Sequence, residues 1–219
     1  MSDELNLVLR SFSDPDVRKG VKTLIGTEPV REALAMLADR VRGHRAKVQI
    51  KVLKNTISTL NEAGLSINVV PAKTLVPLLE FSSLEDPDDE KMVHRWANLL
   101  ANAAAGEQGS AVPPSFPDVL RQLEPLEAQF LEEMLRARDT RPKRMNWVDL
   151  DLDQIDGHQS IEWRHLENLE RLGLIQFEVD LPVNVTPPPQ PSGVARVSET
   201  SFCISFIQAC RPLIKAETT

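Results

Sequence analysis

The chain has no tyrosine, only two cysteines, and aromatic residues amount to just 5% of its 219 positions. Each scarcity removes a class of chemistry. Without tyrosine there is no phenol to serve as acid or nucleophile. Cys203 and Cys210 stand seven residues apart in a segment of helical periodicity, which separates their Cα atoms by about 10 Å of helix rise. A disulfide needs less than about 7 Å, and no histidine lies at ligand spacing from either thiol. Both are therefore read as buried thiols. The four histidines, at positions 44, 94, 158 and 165, are scattered, and the chain has no Gly-x-Ser-x-Gly, phosphate-binding loop or His-Glu-x-x-His. No catalytic, cofactor-binding or metal-ligating residue is assigned on that basis, and the chain is expected not to be an enzyme. Long apolar runs are missing too: the best candidate, 65–81, is broken by Lys73 and two prolines, so no membrane span is expected. The opening MSDELNLVLRSF begins acidic and has no basic stretch ahead of its apolar residues, which gives a cytoplasmic expectation.

What is present describes a soluble globular protein. Hydrophobic residues make up 42%, charged residues 26%, and the net charge is −7, so any nucleic-acid role requires a local basic patch. A long helical pattern runs from Glu28 to Gly64, with Pro29 in its first turn and Gly64 as its stop. Val30, Leu34, Leu37 and Val41 repeat at helical spacing, Ala46, Ile50, Leu53, Ile57 and Leu60 continue the seam, and Gly43 sits at the change of phase. A second helix is predicted from Ala72 to about Ser83. A third carries Met92, Trp96, Leu99 and Ala103 on its apolar face, with Lys91, Arg95, Asn98 and Asn102 on the opposite side. Shorter helices follow at 116–123 and 126–136.

Beyond Pro125 the rhythm changes. An extended stretch at 147–152, an amphipathic helix at 161–172, a strand at 173–179, a proline-rich loop, a strand at 194–197 and a closing helix at 199–210 give the order of a winged helix. The fold class is therefore mainly α: a helical domain over 1–124 and a small winged-helix-like domain over 125–219. The latter has a two-stranded wing whose tip is the loop 182–193.

Three clusters invite a functional reading. "EDPDDE", residues 85–90, holds five carboxylates in six positions. Asp86-Pro87 reads as an N-cap and first helical residue, followed by acids in the first turn where the helix dipole favours them; Glu90 and His94 at i, i+4 are the metal-site alternative. Asp149, Asp151, Asp153 and Asp156 resemble a calcium loop only superficially. Gln154 occupies the required glycine position and Ser160 the closing glutamate position; Asp156 or Ser160 is instead expected to cap the next helix.

The third cluster is basic. No acid occurs between Asp39 and Glu62, and Arg40, His44, Lys47, Lys51 and Lys54 fall on one helical stripe. Either this is a solvated flank or it contacts phosphate or an acidic partner. The helix before the wing argues against DNA reading, since 161–172 carries three glutamates against two arginines. Residues 123–219 hold ten basic and sixteen acidic side chains, a net of −6. The partner is expected to be a protein, with RNA the alternative and sequence-specific DNA disfavoured.

"RVRGHRAKVQIKVLKNTISTLNEAGLSINVVPAKTLVPLLEFSSLEDPDDEKMVHRWANLLANAAAG", continued by "PPSFPDVLRQLEPLEAQFLEEML", resembles the Abi-alpha (abortive infection alpha) family of bacterial proteins. The most telling part is Pro77 to Ala103, where an apolar helix, "SSLED", the acidic cap and "WANLLANA" occur in family order. The resemblance implies a part in phage defence, in which an infected cell stops growing or dies before phage are released. It supplies no catalytic residues to carry over. The leading expectation is a non-enzymatic adaptor or sensor. A helical ribonuclease of the HEPN type is the effector alternative, although such enzymes separate arginine and histidine by four to six residues, whereas Arg40 and His44 are separated by three. A winged-helix transcription regulator is the second alternative.

Overall fold

The computed structural model describes Pro15, Lys19, Gly20, Thr23 and residues 44–140, 148–151, 161–179 and 194–213. The helical pattern expected over 28–43, the Asp153 and Asp156 positions and the wing loop 182–193 lie outside them. The chain divides into two compact units, one of Met1–Gln122 with Gln208–Thr219 and one of Leu123–Ile207. The end of the last helix, from Gln208, groups with the first unit.

The first unit is built from α1 (His44–Ala63), α2 (Ala72–Ser82), α3 (Glu90–Ala105) and the short α4 (Phe116–Leu120). The buried side of α1 is Val48, Val52, Thr56, Leu53, Ile57, Leu60 and Ala63. Ala46 and Ile50, expected in that seam, are only half-buried, because Val48, Val52 and Thr56 fix the phase about a quarter-turn away. The Thr56 hydroxyl donates toward Val52 O at 2.8 Å and Ala97 O at 3.1 Å, satisfying a buried polar group where α1 meets α3. Gln49 Nε2 donates to Leu79 O at 3.0 Å and ties α1 to α2. Gly64 ends α1 as expected. Its φ is 70°, and the backbone bonds Gly64 N to Asn61 O and Leu65 N to Leu60 O, both 3.0 Å, close the helix.

Helix α3 is the centre of this unit. Met92, Val93, Trp96, Ala97, Leu99, Leu100, Ala101, Ala104 and Ala105 are buried, and so are Arg95, Asn98 and Asn102, which the sequence had placed on a polar outer side. The helix is covered nearly all round, so its polar residues must find partners inside the protein. The acidic run starts it differently from the expectation as well. Asp89 is the N-cap, its Oδ1 accepting from Met92 N at 3.0 Å. Asp86 instead accepts from Asp88 N at 2.9 Å, an Asx-turn that holds Pro87 ahead of the helix.

The second unit runs α5 (Pro125–Thr140), β1 (Val148–Asp151), α6 (Trp163–Arg171), β2 (Ile175–Val179), β3 (Val194–Glu199) and most of α7 (Ser201–Cys210). Its sheet is antiparallel with order β1-β3-β2. Phe177 is paired with Val197 across β2 and β3, and Leu150 with Ala195 across β1 and β3. The two-stranded wing is thus joined by a third strand, because the extended 148–151 segment finds a free ladder on β3. The described order is winged-helix-like. Leu123, Leu131, Leu135, Leu166, Leu169, Leu174, Val197 and Phe206 are among the core residues. Gly173, at φ 71°, makes the turn from α6 into β2, and Thr200 caps α7 by accepting from Cys203 N at 3.0 Å.

Candidate functional site

The basic stripe and the acidic run, separate features in the sequence, meet in space. Lys47 and Lys54 are exposed on α1, two turns apart on one face. Lys51 lies between them, and its Nζ donates to Pro87 O at 2.9 Å and pairs with the Glu90 carboxylate. The Lys51 hydrogen bond holds Glu90 below the usual carboxylate range, with the Lys51 and His94 charges assisting against a small burial cost. Asp86, Asp88 and Glu90 are exposed on the segment that Lys51 grips. The stripe therefore runs beside carboxylates, and a phosphate chain following it would meet like charge. Arg40 lies outside the described residues, and His44 is placed only as the first residue of α1.

Glu85, one turn before Asp89, is tied inward. Its Oε1 accepts from Trp96 Nε1 at 2.8 Å. Burial pushes its carboxyl above the ordinary range; the Trp96 bond pulls the other way and the Asp89 charge adds to the rise. Glu90 is committed to Lys51, and His94 is exposed one turn on. Among the described residues no group of three or more His, Cys, Asp or Glu side chains is placed to hold a metal ion.

In the second unit, α6 occupies the position from which a winged helix would read DNA. Its two arginines are exposed and make local contacts: Arg164 Nε lies 3.0 Å from Glu162 Oε2, and Arg171 Nη2 donates to Asn168 Oδ1 at 2.7 Å. Trp163 donates its indole N–H to Glu167 at 2.6 Å and meets Phe177 edge to face, with ring centroids 4.9 Å apart. Glu167 and Glu170 are exposed, so this face presents carboxylates beside a half-buried aromatic pair.

Beneath that face is a polar junction that sequence spacing missed. His165, only 2% exposed, accepts the Glu162 N–H on Nδ1 at 2.8 Å. The neutral ring therefore carries its proton on Nε2, which approaches Glu124 Oε2 at 3.3 Å without an aligned hydrogen bond. Glu127, 1% exposed, accepts from Glu124 N at 2.8 Å and, through both oxygens, from Asn168 Nδ2 at 3.0 Å. These bonds cap the starts of α5 and α6 and fix α6 against α5. Glu162, with His165 three residues on, takes the capping role expected of Asp156 or Ser160. A histidine three residues after a helix start was the available signal.

Cys203 and Cys210 are buried free thiols. Burial, with the Glu199 charge adding, pushes the Cys203 thiol up to about 12, so it stays protonated and unreactive.

A model of the abortive infection alpha family matches residues 45–210, a span that takes in both units. No curated protein and no solved structure matches the chain. No helix among the described residues is long and apolar enough to cross a membrane. By the extent of the family match, the chain belongs to the abortive infection alpha family.

Proposed function

We propose that the chain serves the abortive-infection response as a non-enzymatic adaptor or sensor, working in the cytoplasm through contacts with another protein. The observation that carries this reading is the engagement of Lys51 by Pro87 O and Glu90. It converts the middle of the basic stripe into an internal tether and sets carboxylates beside the rest. On α6 both arginines, though exposed, are engaged by neighbouring side chains, Arg164 by Glu162 and Arg171 by Asn168, and stand beside exposed Glu167 and Glu170. A surface of that kind suits a partner with basic side chains, which also stack favourably on aromatic rings such as the half-buried Trp163 and Phe177.

The test is purification of the tagged full chain from its host, before and during phage infection, alongside Glu167→Lys/Glu170→Lys and Lys47→Glu/Lys54→Glu variants. A stoichiometric protein partner lost only with the first pair supports docking on α6. Co-purifying RNA lost only with the second pair transfers the reading to the RNA-binding or RNA-cleaving effector. That reading has one observation in its favour: Lys47 and Lys54 are exposed and have no charged partner among the described residues. The transcription-regulator reading has the acidic face of α6 against it.

A further inference from the structure

The first residue of α6 is a tryptophan that the fold leaves half-buried, beside a phenylalanine of β2 in the same condition. Trp163 and Phe177 meet edge to face, their planes at 85°. In that geometry the phenyl ring covers at most one face of the indole. The indole N–H does not turn into the core: it donates to Glu167 Oε1 at 2.6 Å on the exposed side of the helix. Glu167 and Glu170 follow Trp163 at i+4 and i+7, so the three share one face of α6. Both glutamates are exposed. The arginines of α6 stand on the adjacent row, at 164 and 171, where Glu162 and Asn168 engage them. The row of Trp163, Glu167 and Glu170 thus carries two carboxylates and no cation of its own.

These features fit one kind of occupant. An aromatic face attracts a cation through its quadrupole, most strongly when the ring is an indole, and a carboxylate fixed at the ring's edge supplies the counter-charge. The Trp163 bond uses one oxygen of Glu167 and leaves the other to accept. A guanidinium lying flat on the indole keeps its N–H donors in its own plane, from which they reach sideways past the ring edge to that oxygen. An ammonium is a compact, strongly hydrated point charge that gains no stacking. Phosphate meets like charge at Glu167 and Glu170. The ring and its carboxylate are also placed before a partner arrives, since the Trp163 bond, the Phe177 contact and the His165 cap on Glu162 N fix the start of α6. Little side-chain freedom is then lost on docking.

We infer that Trp163 and Glu167 form a recognition site for an arginine side chain on a segment of the partner protein, with Glu170 adding to the attraction. The inference rests on the adaptor reading for the partner being a protein, and goes beyond it in naming the side chain recognised and the two residues that recognise it.

The test is a titration of the full chain followed by the indole N–H resonance of Trp163 in nitrogen-edited NMR spectra, a signal that Trp163→Phe identifies by its loss. The probes are short glycine peptides, blocked at both ends, that carry a single arginine or a single lysine. The expected result is a saturable shift of that resonance with the arginine peptide and about fivefold weaker binding of the lysine peptide. Glu167→Gln, which keeps an oxygen for the indole N–H and removes the charge, should weaken binding of the arginine peptide about fivefold. Equal affinity for the two peptides overturns the inference, because a diffuse acidic field would then account for the binding. Unchanged affinity in Glu167→Gln overturns it as well, and so does a Trp163 resonance that the arginine peptide does not move. The purification from infected cells judges the adaptor reading separately: a protein partner found there while the peptides fail leaves that reading standing without arginine recognition, whereas the absence of any protein partner removes the adaptor reading itself.

Discussion

Replacing Trp96 is the most demanding check on the first unit. The side chain has no exposed surface, and burying an aromatic of this size removes about 150 to 250 Å² from water. At about 25 cal/mol/Å² that corresponds to roughly 4 to 6 kcal/mol, an upper bound because the unfolded chain already covers part of its apolar area. Large-to-small replacements in cores fall at about 3 to 5 kcal/mol, so Trp96→Ala is expected to cost about 4 kcal/mol. Trp96→Phe keeps a six-membered ring in place and loses the pyrrole edge with its N–H to Glu85; it is expected to cost about 2 kcal/mol. Asp88→Asn is the control. Asp88 is exposed and its side chain does not cap α3, so the loss should stay within about 0.5 kcal/mol. Urea unfolding followed by far-ultraviolet circular dichroism measures all three as midpoint shifts at constant slope. If Trp96→Ala lay within 1 kcal/mol of wild type, or matched Trp96→Phe, the burial argument would fail. If Asp88→Asn abolished function at unchanged stability, the acidic run would be a site and not only a helix start.

Three further outcomes are expected. Glu85→Gln keeps an oxygen for the Trp96 N–H and removes a carboxyl whose folded value lies above the ordinary 4.5. Its favourable contribution is present below that value and is lost as pH rises through the raised one, so thermal melts should show the variant more stable than wild type at pH 7, with the gap closing toward pH 4. His165→Ala, which removes the acceptor for Glu162 N and leaves a buried gap, should cost about 2 kcal/mol and speed exchange at the start of α6; an unchanged melting temperature contradicts the junction. Gly64→Ala should cost about 1 kcal/mol from its positive φ alone, since open space surrounds its Cβ position. Gly109→Ala, whose Cβ would stand 2.3 Å from Asn102 O, should cost more, and calorimetry showing the reverse order would refute the close approach.

The periodic features were readable because one-dimensional spacing maps directly onto one face of a helix. Trp96 with Met92 and Leu99, the Gly64 stop and the strand after Gly173 all follow from local geometry. The misreadings share a physical origin. Asn98 and Asn102 looked like solvent-side residues because polar side chains on a half-apolar helix usually are, and nothing within α3 announces that carbonyls of 209–211 will meet them. Asp86 lost the capping role to Asp89 because an Asx-turn through Pro87 competes locally with helix initiation. β1 was legible only as extended chain, since pairing with β3 joins residues almost fifty positions apart.

The sequence by itself therefore determined the elements, the mainly helical class with its winged-helix-like end, and the family: the most telling part of the resemblance, Pro77 to Ala103, lies within the 45–210 match. Tertiary structure alone decided which charges remain available. Lys51 belongs to Glu90 and Pro87, and the Asn98 and Asn102 amides to the end of α7. Helical propensity and periodicity are properties of neighbouring residues, whereas the pairing of a charge or an amide depends on which distant segment packing brings within about 3 Å.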